Sequence, residues 1–128
     1  MEKFEIRSVR FQELRPLIKM RAEHVDLKYD GKTSYLGAFV DGEIVGCVGW
    51  MKVGNVLRYK SACVLPEYRG MGIYTALWEE REFMTKNQSE FTTAFCTSKS
   101  LGMLVSKGFK IVRKQNNGIT FVKRKNTK

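Results

Sequence analysis

Asp41-Gly42 splits two runs, TSYLGAFV and EIVGCVGWMKV, that are rich in strand-forming residues. The dipeptide supplies the positive φ angles of a tight two-residue turn, so the flanking runs are expected as an antiparallel pair. A second signal of this kind, Asn116-Asn117-Gly118, separates FKIVRKQ from ITFVKRK. A chain with two hairpins cannot be built on a purely parallel sheet. Gly46 and Gly49, inside the second strand, mark a bend or a close approach of another backbone.

The remaining elements follow from periodicity. KFEIRSV alternates as a strand. PLIKMRAEHVDLKY carries Leu17, Met20 or Arg21, His24, and Leu27 or Lys28 at helical spacing, with Pro16 in a first turn. VLRYKSACVL is a strand closed by Pro66. From Gly72 the spacing turns helical, with Ile73, Leu77, Glu80 or Arg81, and Met84 along one face and an end near Asn87. FTTAFCT is a short strand, and SLGMLVSKG a short helix that starts near Ser100 and stops at Gly108. The order β-α-β-β-β-α-β-α-β-β predicts a mixed sheet with helices over its faces, a small α/β (α+β) domain. Residues 1–128 suit one such domain.

Composition narrows the class. Apolar residues make up 43% and charged residues 28%, a globular balance. No run has the length of a membrane span, and MEKFEIRSVR lacks the apolar core of a secretory signal. Cys47, Cys63 and Cys96 are odd in number and embedded in apolar stretches, which predicts buried, reduced thiols and a cytoplasmic protein. No Cys/His spacing suggests a metal site. The formal charge is +10 and unevenly spread: no acidic residue follows Glu90, while nine Lys and Arg do. Such a field attracts a phosphorylated cofactor, a nucleic acid or an acidic protein face. The competing reading is a solubilising surface. Trp50 and Trp78 sit at core spacing, and no aromatic stacking platform is evident.

VLPEYRGMGIY, Val64 to Tyr74, carries the chemistry. A strand stops at Pro66, an arginine and two glycines follow, and a helix begins at once. That junction leaves backbone N–H groups pointing at one spot, where glycine lets an oxygen-rich ligand approach and the helix dipole adds positive charge. The expected ligand is a pyrophosphate. A Walker loop is excluded by the missing Gly-Lys-Ser/Thr ending, and a dinucleotide fingerprint by the lack of a third glycine, Ala76 being the nearest small residue, and by the two hairpins around the unit.

ACVLPEYRGMGIYTAL resembles the acyl-CoA-binding signature of the GNAT superfamily of N-acyltransferases, V-x-P-x-x-R-G-x-G-I/L. TSKSLGMLVSKGFKIV resembles the family's later helix–Lys–Gly–Phe–strand segment, and the element order agrees over essentially the whole chain. The resemblance implies a mixed, mostly antiparallel sheet of six or seven strands flanked by helices, and acetyl-CoA as cofactor. It places the main-chain amides of Arg69, Gly70, Met71, Gly72, Ile73 and Tyr74 on the pyrophosphate. Cys63, Val64 and Leu65 would pair with the pantetheine arm, with Thr97 and Ser100 near the rest of the cofactor. Tyr74 departs from the pattern, which favours a small residue there.

The usual catalytic side chains are missing. Where many members carry a glutamate before the motif, this chain has Arg58-Tyr59-Lys60-Ser61. Where many carry a tyrosine acid, it has Leu104. Positioning with water-borne protons is one explanation; substitution by Tyr59, Ser61, Cys96 or His24 is another, each having a plain packing role as the alternative. Arg58 and Lys60 would repel a cationic acceptor, so the implied function is N-acetyl transfer to a non-cationic amine. Two alternatives remain open: a DNA-modifying protein of the phage Mom kind, which the fold also hosts, and a non-catalytic acyl-CoA-binding module. Exposed edge strands allow a homodimer.

Overall fold

The structure, a computed structural model, describes residues 3–23, 25 and 27–126. Seven strands form one sheet in the order β1-β2-β3-β4-β5-β7-β6. They span Glu5–Val9, Ser34–Val40, Glu43–Val53, Val56–Val64, Phe91–Cys96, Lys110–Lys114 and Thr120–Lys125, and the helices are α1 (Ile73–Met84) and α2 (Ser98–Ser106). β4 and β5 are registered in parallel, and β1–β2, β2–β3, β5–β7 and β6–β7 antiparallel, so the sheet is mixed and mostly antiparallel, as expected. Two compact units divide the chain: Met1–Met51 with Lys60–Lys86, and Lys52–Tyr59 with Asn87–Lys128.

In the first unit, β1 and β3 flank β2, and the β2–β3 hairpin turns at Asp41-Gly42 with φ of 51° and 81°. A Cβ on Gly46 would sit 2.8 Å from the Cys63 carbonyl oxygen, which is the close approach the sequence signals. Between β1 and β2 the structure corrects the expected helix. Consecutive 3-10 turns run over Phe11–Glu23, with Pro16 inside them rather than in a first turn. Leu14, Leu17 and Met20 are all buried, and their spacing of three suits 3.0 residues per turn better than 3.6. They join Leu27, Tyr35, Phe39, Cys47, Cys63 and Leu65 in one core. His24 lies outside the described residues.

Helix α1 packs on β2. It buries Ile73, Leu77, Trp78 and Arg81, whereas Met84, expected on that face, is 39% exposed. The helix stops at Met84 rather than near Asn87; Thr85, its C-cap, still donates its amide and hydroxyl to the Arg81 carbonyl at 3.0 and 2.8 Å, and Asn87 turns left-handed at φ 64°. Trp50 is only half-buried, so of the two tryptophans Trp78 alone is full core.

In the second unit β5 pairs with Val56–Tyr59 of β4 on one side and with β7 on the other. The β6–β7 hairpin closes at Asn116–Gly118, with Gln115 N–H donating to Ile119 O at 2.8 Å. Helix α2 begins two residues before Ser100 and packs on β5 and β7. It buries Leu104, and Phe109 beyond Gly108 is buried too.

Candidate functional site

The Val64–Tyr74 junction lies within the first unit. After β4, Leu65 is buried and its N–H donates to Val45 O at 2.8 Å. Pro66–Tyr68 forms a single 3-10 turn, and Arg69 follows in extended conformation. The Arg69 guanidinium folds back, its Nε donating to the Val64 carbonyl at 3.2 Å. This side chain therefore braces the turn against the strand it has just left.

Gly70 and Gly72 then adopt φ of 83° and 82°, a left-handed region that side chains disfavour. A Cβ built on either would meet nothing within 4 Å. Conformation, and not crowding, demands glycine here, and the space before both residues is open. The first amide to find a helical carbonyl is that of Ala76, on Gly72 O at 3.0 Å. The amides preceding it must be satisfied from outside the α-helical ladder. Neither Gly72 nor any acidic residue of the first turn caps them with a side chain. The arrangement fits a phosphorylated ligand held by backbone N–H groups and the helix dipole.

The other residues expected near a cofactor divide between the units. Cys63, Val64 and Leu65 are buried in the first, past the end of the β4–β5 register at Tyr59↔Ala94. Thr97 and Ser100 are in the second: Thr97 caps α2, its carbonyl accepting from Ser100 N–H at 3.1 Å, and both are half-buried.

The catalytic candidates separate by environment. Tyr59 is buried with its ring 6.4 Å from Phe109, a packing position. Burial pushes the Cys96 thiol up, away from a reactive thiolate. Ser61 differs. It is buried in mid-strand at φ 63°, a conformation costing a non-glycine residue about 1–3 kcal/mol. Burial, helped by the Asp30 charge and Cys47, pushes the nearby Tyr35 phenol up to about 12 against the lowering influence of the Ser61 and Thr33 hydroxyls.

The Thr33 hydroxyl donates to Asp30 Oδ2 at 2.7 Å. That hydroxyl, followed by the Lys32 and Thr33 amides and Lys60, holds the Asp30 carboxyl well below its ordinary range. Lys60 reaches the same carboxylate at 3.2 Å. Asp30, Thr33 and Tyr35 also line a hollow of about 340 Å³ with Phe11 and Tyr29. None of Asp30, Thr33 and Tyr35 stands out in the sequence, where they flank a strand start. The available signal was the Asp-x-x-Thr spacing of an Asx turn.

Arg81 is a second residue that sequence alone left ambiguous. It is 1% exposed, and its Nη1 donates to Gly49 O at 2.9 Å and Lys60 O at 3.4 Å. Its guanidinium lies 4.1 Å over the Trp78 ring. An arginine so buried ties α1 to β3 and to β4 immediately before Ser61.

Solved structures share this architecture. PaiA N-acetyltransferase from Thermoplasma acidophilum, solved in complex with coenzyme A, is 17% identical with a TM-score of 0.71, covering 96% of this chain and 99% of that one. An acetyltransferase from Streptococcus agalactiae is 14% identical with a TM-score of 0.76, covering 98% and 99%. Escherichia coli ElaA is 15% identical with a TM-score of 0.74, covering 98% and 100%. At such identities the likeness is one of fold. No curated protein sequence matches the chain. Residues 2–103 match the model of the acetyltransferase (GNAT) family, and the chain belongs to that family.

Proposed function

We propose that residues 1–128 act as a single acyl-CoA-dependent N-acetyltransferase domain that moves an acetyl group from acetyl-CoA to an amine of a non-cationic acceptor. The observation that carries this reading is the open, acid-free α1 N-terminus behind two left-handed glycines. Family membership supplies the reaction class. Acetyl-CoA, when bound, supplies an acetyl group activated as a thioester.

The chain's own residues have distinct tasks. The amides of Gly70 through Tyr74 hold the pyrophosphate; the Arg69 N–H, also expected there, donates to Pro66 O at 3.3 Å. Cys63, Val64 and Leu65 offer strand backbone to the pantetheine arm, at Leu65 through the carbonyl because its N–H is already committed. Thr97 and Ser100, in the second unit, are assigned to the cofactor by the family resemblance alone. Ser61 and Tyr35 are the hydroxyls able to hold or pass a proton; Tyr59 and Cys96 serve packing. Lys60 is compensated by Asp30, so Arg58, which is exposed, carries the repulsion of cationic acceptors. The three free, buried cysteines suit a reducing, cytoplasmic compartment.

Calorimetric titration with acetyl-CoA at two salt concentrations tests the reading. Saturable binding at both is the expected result. Failure to bind would reduce the family relationship to shared fold and overturn the proposal.

A further inference from the structure

In the second unit one face of the sheet is covered by α2 and the other carries a pattern absent from the linear sequence. Thr92, Ala94 and Cys96 of β5, with Thr120 and Val122 of β7, are buried on the α2 side. The alternate residues point the opposite way. Phe95 pairs with Phe121 across the strands, with ring centroids 4.8 Å apart, and Phe91 stands four residues along β5. Phe95 remains 49% exposed.

Cations surround these rings. Arg113 lies 4.8 Å over Phe121, and Lys123 Nζ lies 4.2 Å over Phe91. Lys125 stands opposite Phe91, and Arg58 of β4 beside Thr93. Lys110 stands directly opposite Lys123, a like-charge cross-strand pair that destabilises the sheet. No acidic residue follows Glu90 to compensate. Basic residues on the edge strand β6 have an ordinary use in blocking edge-to-edge pairing. Lys123 and Lys125 have no such use, because β7 lies between β5 and β6. A merely solvated face would mix both signs.

We propose that this outer face, built on Phe91, Phe95 and Phe121 with Arg58, Lys110, Arg113, Lys123 and Lys125 around them, binds single-stranded nucleic acid. A base stacks on the exposed Phe95 ring, flanked by the half-buried Phe91 and Phe121, and the cations take the phosphates. Binding relieves the Lys110–Lys123 repulsion. A duplex hides its base faces and meets only the cations. Apart from Arg58, to which the acyl-CoA reading gives a second role, the surface is independent of that reading, and β6 and β7 lie beyond the residues matched by the family model. No stacking platform is evident in the linear sequence because its rings come from two strands about thirty residues apart, joined only by register.

The test is fluorescence anisotropy of the full chain with labelled oligo(dT), oligo(U) and a duplex of matching length, at low and at physiological salt. Single strands bind at least about tenfold tighter than duplex, and Phe95→Ala weakens them about fivefold or more. Phe95→Leu behaves like Phe95→Ala and Phe95→Tyr restores binding, so loss of the π-face is separated from misfolding. Lys123→Gln reduces the salt slope by about 0.7. The two oligonucleotides report any preference for deoxyribose or ribose. No saturable binding overturns the proposal. So does equal affinity for duplex with Phe95→Ala silent, which marks a polyelectrolyte contact. A dimer that dissociates on Phe95→Ala, without oligonucleotide binding, assigns the face to a second copy and overturns it as well.

Discussion

The α1 N-terminus in the first unit and the outer sheet face in the second are both positively disposed surfaces, built by opposite means. The first is made of main chain: amides, a helix dipole and two glycines within eleven consecutive residues. Its arginine turns inward, onto the Val64 carbonyl. The second is made of side chains that only strand register brings together, from β4, β5, β6 and β7. A site of amides depends on conformation, so a single Cβ at the wrong φ disables it. A site of side chains depends on composition and loses strength one residue at a time.

The largest expected effect breaks this contrast most directly. Gly72→Trp places a large side chain at φ 82° in the open space before α1. Acetyl-CoA binding should fall more than about 100-fold by calorimetry, with a further stability cost of about 1–2 kcal/mol for the left-handed side chain. Oligonucleotide binding by the second unit should be unchanged. If cofactor binding survives, the two glycines make a turn and nothing more.

Arg81→Met is next. It removes a buried cation but also leaves the Gly49 and Lys60 carbonyls without that donor. The expected loss is about 2–4 kcal/mol in urea unfolding. Because Arg81 sits on α1 and holds β4, this variant also shows how far the backbone site depends on a distant side chain. A neutral result would mean that the helix is placed by Ile73, Leu77 and Trp78 alone.

These two variants show what the sequence could reveal. Gly70 and Gly72 were legible because a local conformational demand leaves a local mark, and the same holds for Asp41-Gly42. The element order was legible for the same reason. The 3-10 turns over Phe11–Glu23 were not, since leucines three apart read equally as one face of an α-helix. Arg81 could not be separated from Glu80, because charge on a helix usually means solvent and only the partner carbonyls of β3 and β4 make burial tolerable. Tyr35, Thr33 and Asp30 were missed because their meaning lies in Ser61 and Lys60, some thirty residues on.

Arg69→Ala sharpens the contrast at smaller scale. The guanidinium braces Val64 O, so its removal should loosen the turn without removing the amides. Acetyl-CoA affinity should drop only about three- to tenfold. A loss as large as that of Gly72→Trp would show that the side chain itself binds the cofactor.

The smallest effect concerns Asp30, which shares features of both constructions, since it accepts from two backbone amides and from the side chains of Thr33 and Lys60. Its carboxyl titrates below the ordinary 3.8 in the folded protein. A depressed pKa means that the ionised group stabilises the fold above that ordinary value, and that this contribution disappears as pH falls through the folded-state value. Asp30→Asn should therefore cost less than about 1 kcal/mol near neutral pH, because the pair is partly exposed. In urea unfolding the difference from the parent should stay constant down to about pH 5 and shrink below pH 4. A difference that persists unchanged into strong acid would mean that the loop is held by its amide bonds, with the charge on Asp30 contributing nothing. The Asp30–Thr33 turn that leads into β2 would then rest on backbone geometry alone, as the α1 N-terminus does.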